Sequence, residues 1–293
     1  MALGSPSPVA WRKARRVLLA FAGLAVFLGV AIAVASALGT QRFRERYEAE
    51  KSDLLRRGRA APARVVDPAA VAALPEPVKR YVEVTGVAGK AIPHVAVLKQ
   101  RGALRTAADA AWMPFEAEQA YSMDPPGFVW LARARVAPAV HVMARDRFVG
   151  GEGNMLIRAL GAVTIADGRG PQMDQGAGLR YWGEVIDFPE LAVDPHLRWE
   201  PIDASHARLT IVQGSLDMRA VVDFDASGLP VAVHGQRYRD VGGKPVLTAW
   251  SGYERDWKVI DGRLFPSRWE SVWHLAQGDL TAVTIEILHI EID

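Results

Sequence analysis

The sequence predicts a mostly β, α+β fold: an N-terminal transmembrane helix, then a large curled antiparallel sheet, a half-barrel of about 10–11 strands, with one or two helices on its concave side. Three observations predict it. Val17 to Leu38 is an uncharged, almost wholly apolar run of 22 residues. From Val95 onward apolar and polar residues alternate in segments of strand length. Turn residues recur between those segments at hairpin intervals.

Residues 1–16 form a basic tail, with Arg12, Lys13, Arg15 and Arg16 against the apolar run. At a rise of roughly 1.5 Å per residue the run at 17–38 makes a helix about 33 Å long, enough for a hydrocarbon core of about 30 Å. Ala33-Val34-Ala35 and Ala35-Ser36-Ala37 fit a signal-peptidase pattern. The run, however, exceeds the roughly 7–15 apolar residues of a signal-peptide core, so a retained anchor is expected. With no cysteine to acylate, a lipoprotein is excluded. Lys and Arg counts do not separate the two flanks. The N-terminal cations abut the run without acidic neighbours, whereas Glu45, Glu48 and Glu50 interleave with Arg42, Arg44, Arg46 and Lys51. That asymmetry predicts a cytoplasmic N-terminus and an extracytoplasmic C-terminal domain at a bacterial cytoplasmic (inner) membrane.

Residues 39–66 read as a charged juxtamembrane stalk and linker, and 67–293 as the half-barrel domain. Asp67-Pro68 is a helix start with Asp as cap. Glu76-Pro77 begins a second short helix that runs to about Thr85 and stops at Gly86. In the strands, Phe128, Trp130, Ala132, Ala134 and Val136 share one face. Leu216, Met218, Ala220, Val222 and Phe224 do the same, with Asp217, Arg219 and Asp223 opposite. Trp269, Ser271, Trp273 and Leu275 repeat the pattern. Turns fall at Asp124-Pro125-Pro126-Gly127, Gly150-Gly151, Ser227-Gly228, Gly242-Gly243, Asp261-Gly262 and Gln277-Gly278. One helix, Gln172 to about Ile186, interrupts the strands, ends at Phe188-Pro189, and has the concave face as its place to pack.

A net charge of +2, without a basic block interleaved with aromatics, excludes a nucleic-acid binder. Zero cysteines exclude disulfides and thiolate metal sites. The seven histidines show no ligand spacing, so no metal is expected. Asp223 to Gly228 lacks the closing Glu of a calcium loop. Gly150-Gly151-Glu152-Gly153 lacks the features of a nucleotide loop, and no cofactor is expected.

Two candidate sites remain. Eight tryptophans lie beyond the apolar run, and an open curled sheet must bury or use its apolar face. This predicts a hydrophobic cleft walled by Phe128, Trp130, Leu216, Met218, Trp269 and Trp273, with Leu179 to Trp182 as a partial lid, taking a lipid or other hydrophobic ligand. The alternative is an enzyme using Arg145, Arg147, Asp167, Arg169, Asp174 and Glu184, with Asp174 or Glu184 as general acid or base held by an arginine. Arg180 and Glu184, at i and i+4, also read as an ordinary helix pair. A third possibility is an envelope scaffold with a filled core. The oligomeric state is left open.

Several stretches together resemble a bacterial family of membrane proteins of unknown function. They are Leu74 to Tyr81, Trp112-Met113-Pro114-Phe115 with Tyr121, Asp124 to Trp130, Arg145 to Phe148, Asp167 to Gly170 and Trp273-His274-Leu275. The resemblance covers nearly all of 70–293 and implies no activity. The hairpin Val222 to Pro230 is similar to a turn of periplasmic lipoprotein carriers. That likeness implies a half-barrel with helices lining a hydrophobic cavity, by fold analogy alone.

Overall fold

The computed structural model describes residues 8–138 and 140–293. Residues 1–7, Ala139 and the side chains of 8–10, 12–14 and 217 lie outside the described residues, and with them the readings of Arg12, Lys13 and Asp217.

The first helix, α1 (Pro8–Arg59), is continuous over 52 residues. It contains one stretch long and apolar enough to cross a membrane, none of it buried. The helix does not end where the apolar run ends, because the charged stretch is built of strong helix formers and i,i+4 partners. Gln41 donates to Glu45 at 2.8 Å and Arg46 to Glu50 at 3.1 Å. The sequence reads 39–66 as a stalk, but in the structure residues 39–59 form an outer layer of the domain. Phe43, Tyr47, Leu54 and Leu55 are buried on the convex face of the sheet, against Val95, Ala120, Val129, Met143 and Leu156. Tyr47 and Lys51 both donate to Glu118, at 3.0 and 2.6 Å. Gly58 allows close approach at one end, where a Cβ would lie 2.5 Å from Val95 Cγ1. Gly39 allows it at the other, where a Cβ would lie 2.8 Å from the backbone of Gly161 and Ala162.

Two short helices follow: α2 (Pro68–Ala72), capped by Asp67 on the Ala69 N–H at 2.9 Å, and α3 (Glu76–Thr85), ended by Gly86 at φ 62°. Their apolar residues Val71, Val78, Tyr81 and Val82 join the core.

The strands make one 13-stranded sheet. The first meander is β1 (Val95–Leu104), β2 (Met113–Ser122), β3 (Gly127–Ala137), β4 (Val140–Val149), β5 (Glu152–Ala159) and β6 (Val163–Gly168). The second is β7 (Leu197–Pro201), β8 (His206–Gln213), β9 (Leu216–Phe224), β10 (Pro230–Val241), β11 (Lys244–Ile260), β12 (Arg263–Leu275) and β13 (Gly278–Ile292). All neighbours are antiparallel, and β1 pairs with β13 to join the halves. The count exceeds the expected 10–11. The two edge strands, β6 and β7, have six and five residues and are too short to show a clear alternation.

The last helix, α4 (Pro171–Val185), connects β6 to β7 across the concave face and forms the filling of the curled sheet. Leu179, Tyr181, Trp182 and Val185 are buried there. Small residues let it sit close: a Cβ on Gly178 would lie 2.6 Å from Met218 Sδ, and one on Gly235 of β10 2.9 Å from Leu179 Cδ2.

Candidate functional site

Polar side chains gather on the concave face where α4 crosses it. Leu98, Gln100 and Gly102 on β1 point inward by period-two alternation, as do Ala117, Gln119 and Tyr121 on β2. Between the apolar neighbours, Gln100 and Gln119 therefore carry amides into the core, both buried. Asp146, opposite Trp130 in the ladder, adds a carboxylate. From α4, Arg180 enters this set. It donates to Glu184 at 2.8 Å, to Asp146 at 2.7 Å and to Gln119 at 3.1 Å. Glu184 accepts in turn from Gln119 at 2.6 Å and Tyr121 at 2.8 Å. The guanidinium also lies over the rings of Phe128 and Trp130, at 4.7 and 5.1 Å. Burial alone lowers the affinity of Arg180 for its proton, but Glu184 and Asp146 outweigh it and hold the guanidinium above its ordinary value. Burial pushes Asp146 up, with Arg180 opposing.

A cavity of about 50 Å³ adjoins this network, between the end of α4 and strands β10 to β13. Its apolar walls include Val233, Trp250, Trp269, Val283 and Ile285. Gly183 and Gly252 leave room for the Trp250 ring, which a Cβ on Gly252 would meet at 3.0 Å. Four acidic residues line the cavity: Glu184, Asp187, Glu254 and Glu270, the last paired with Arg255 at 3.2 Å. Both oxygens of Asp187 and Oε2 of Glu254 are buried without a well-formed hydrogen bond, and the Trp269 indole N–H, also without one, lies near enough to Asp187 to offset part of its burial. Burial, and then the Glu254 charge, pushes Asp187 well above the usual carboxylate range. Burial likewise raises Glu254 to about 8. Near neutral pH Glu254 is therefore an acid able to donate a hydrogen bond, and Asp187 is shifted in the same direction. At the edge of the cleft Arg237 stacks over Trp250 at 4.7 Å and Trp273 at 5.9 Å, and donates to the Gly176 carbonyl at 3.0 Å. Burial lowers Arg237 to about 10.

Residues 64–285 match the family model of DUF6544, described as a family of unknown function. The chain belongs to the DUF6544 family. The matched range contains every stretch on which the sequence resemblance rests. No curated protein matches. Among solved structures, a DUF1329 family protein from Desulfovibrio piger is similar with a TM-score of 0.41 and 12% identity, over 78% of this chain and 94% of that one. A LolA superfamily protein from Nitrosomonas europaea is similar with a TM-score of 0.38 and 12% identity, over 74% and 92%. An outer membrane lipoprotein-sorting protein domain from Vibrio parahaemolyticus has a TM-score of 0.37 and 10% identity, over 68% and 85%.

In this DUF6544 chain the predicted cleft residues separate. Phe128, Leu179, Trp182 and Met218 are at most 1% exposed and pack on one another in the core, because α4 fills the hollow they were expected to line. Trp130 is spent on Phe115, edge to face at 5.7 Å, and on Gln100, to which its indole donates at 2.9 Å. Leu216 packs half-buried against the core. Trp269 lines the cavity and Trp273 lies under Arg237.

The polar alternative is split: Asn154 links Arg145 to Asp167, which holds Arg169, away from Glu184 on the concave side. Arg145 and Arg147 face outward to Glu50 of α1, at 3.3 and 3.9 Å. Asp167 pairs with Arg169 at 3.0 Å on the edge strand. Asp174 accepts the Gly153 N–H at 2.8 Å. Of that set only Glu184 reaches the interior. Asp187 and Glu254 were not among the predicted residues. The signal was an acid inside the apolar run Val185-Ile186-Asp187-Phe188, and another on the inward register of Trp250 and Gly252.

Two histidines that look scattered in sequence meet on the convex face. His234 bridges Asp223 at 2.9 Å and Ser251 at 2.7 Å, and Ser251 reaches His274 at 2.7 Å. The order is that of a nucleophilic triad. Ser251 is nevertheless fully buried, mid-strand and paired on both sides, where no substrate carbonyl can approach it. The chain of bonds ties four strands together.

Proposed function

We propose that this protein is a membrane-anchored, extracytoplasmic binding protein whose concave cleft takes a small hydrophobic or lipid-like molecule. The apolar run of α1 is the anchor. The observation that carries the reading is the cavity between tryptophan walls and the carboxyls of Asp187 and Glu254, whose buried oxygens lack hydrogen-bond partners. Unpaired buried polar groups cost about 1–3 kcal/mol each, so a ligand group that bonds to them gains that much against water. At about 50 Å³ the cavity takes one end of a molecule. The half-buried Val283, Ile285 and Ser271 line its apolar side. Each methylene buried there contributes about 0.8 kcal/mol.

The test is binding of the fluorescent fatty acid cis-parinaric acid to the detergent-purified full chain, with Val283→Trp as the filled-cleft variant. Saturable binding that is lost in Val283→Trp supports the reading; equal binding by both proteins defeats it. The same acid pair favours a second reading, proton donation to a bound substrate by Glu254. Chemical change of a bound molecule in the native chain, abolished in Glu254→Gln while binding persists, distinguishes it.

A further inference from the structure

The way α1 leaves the domain singles out one rim of the sheet. Gly39 lies against the β5–β6 turn at Gly161 and Ala162, and Thr40 Oγ1 is 3.1 Å from His141 at the start of β4. The apolar run begins immediately beyond these contacts. The same end of β1 to β6 carries the β1–β2, β3–β4 and β5–β6 turns. There Val163 and Ile165 are 64% and 60% exposed, Val136 and Val140 48% and 41%, and Trp112 41%. The opposite ends of these strands close in Asp124-Pro125-Pro126 and Gly150-Gly151. Among the described residues those turns expose no large apolar side chain.

Charge follows the same division. Arg42 and Arg44 on α1 and Arg133 and Arg135 on β3 are exposed near this rim, and among the described residues none of the four makes an ion pair. Arg44 and Arg133 are close enough to His141 to add to the lowering that burial imposes on it. Arg105 stacks over Trp112 at 4.5 Å, a tryptophan–cation pair of the kind found at headgroup depth.

We propose that the rim formed by the β1–β2, β3–β4 and β5–β6 turns docks on the surface of an anionic bilayer, with Val140, Val163 and Ile165 in the interface and Arg42, Arg44, Arg133 and Arg135 on lipid headgroups. The inference rests on the reading of α1 as a membrane anchor. Apolar side chains beside unpaired cations suit that boundary, where buried apolar area and attraction to anionic lipid add. Each arginine near such a surface contributes through the negative potential, and the effect weakens with salt.

Because the chain has no cysteine, single labels are clean. The full-length protein, carrying one environment-sensitive fluorophore at Val140→Cys, Val163→Cys, Glu152→Cys or Leu24→Cys, is reconstituted into phosphatidylglycerol-rich vesicles with spin-labelled lipid as quencher. Labels at 140, 163 and 24 are expected to lose most of their emission, and the label at 152 to keep it. Reversing Arg133 and Arg135 to Glu should release the labels at 140 and 163 and leave that at 24 quenched. Quenching at 24 with none at 140 and 163 overturns the rim alone. Absence of quenching at 24 overturns the anchor and the rim together. Equal quenching in phosphatidylcholine alone overturns the role of the arginines.

Discussion

Arg180 and Glu184 stand one turn apart on α4 and form a 2.8 Å ion pair inside the curled sheet, where Arg180 also holds Asp146 at 2.7 Å. A surface i,i+4 pair is worth a few tenths of a kcal/mol. Here burial changes the scale. Arg180 is the cation bonded directly to two inward carboxylates, so removing it leaves them only the unbonded charge of Arg237.

Arg180→Met should destabilise the protein by about 3–5 kcal/mol, the range for an uncompensated buried charge. Combining it with Asp146→Asn and Glu184→Gln should recover much of that loss. Equilibrium urea unfolding of the three proteins checks both statements, and a loss under about 1 kcal/mol for Arg180→Met would contradict the first.

Stability should fall as pH rises through the acid pair. Glu254 moves from an ordinary 4.5 to about 8 on folding. Between these values the folded state binds more protons than the unfolded state, so the slope of stability against pH is negative. The contribution is full below pH 4.5 and is lost on passing pH 8. Asp187, also raised, acts in the same direction. Glu254→Gln should flatten the alkaline fall, as measured by melting temperature from pH 5 to pH 9.

Gly58→Val should push α1 off the sheet at its C-terminal end. The new Cβ would meet Val95 Cγ1 at 2.5 Å and Ser122 Oγ at 2.8 Å. The expected cost is about 1–3 kcal/mol, as for other overpacked sites. Faster proteolysis between residues 41 and 60 would report it.

Glu50→Ala should cost more than an exposed ion pair. Arg145 has a side chain 1% exposed, and Glu50 is its acidic partner from α1. Burial already lowers Arg145 to about 10. A loss of about 3 kcal/mol is expected, with Glu50→Gln intermediate, in the same urea assay.

A reporter fused to the C-terminus should be active only when it is extracytoplasmic. Activity of a cytoplasm-dependent reporter there would reverse the proposed topology.

The fold was legible where one face of a strand is buried and the other solvated. Phe128, Trp130, Ala132 and Ala134 alternate with solvated or helix-covered partners, and the same holds for Met218, Ala220, Val222 and Phe224, so period two reported the inward face correctly. Alternation says which way a side chain points and not what stands opposite it. The filling of the hollow by α4 was therefore invisible, although a single helix among strands marked where it would lie. The outer packing of α1 was masked for a similar reason. Charges dominate residues 41–59, and the narrow stripe Phe43, Tyr47, Leu54 is easily overlooked among them. Asp187 and Glu254 are hard to find from sequence because a lone acid carries no spacing signal, and only their apolar neighbours mark them as interior.

The unbroken α1 bears on how such a protein can work. From the apolar run to Arg59 there is no joint, and the last third of the helix is fastened to the sheet by Phe43, Tyr47, Glu50 and Leu54. Under the proposed function, whatever the cleft holds stays at one height and one angle above the bilayer. A ligand is then brought to this receptacle and collected from it, because nothing between the apolar run and the sheet can swing.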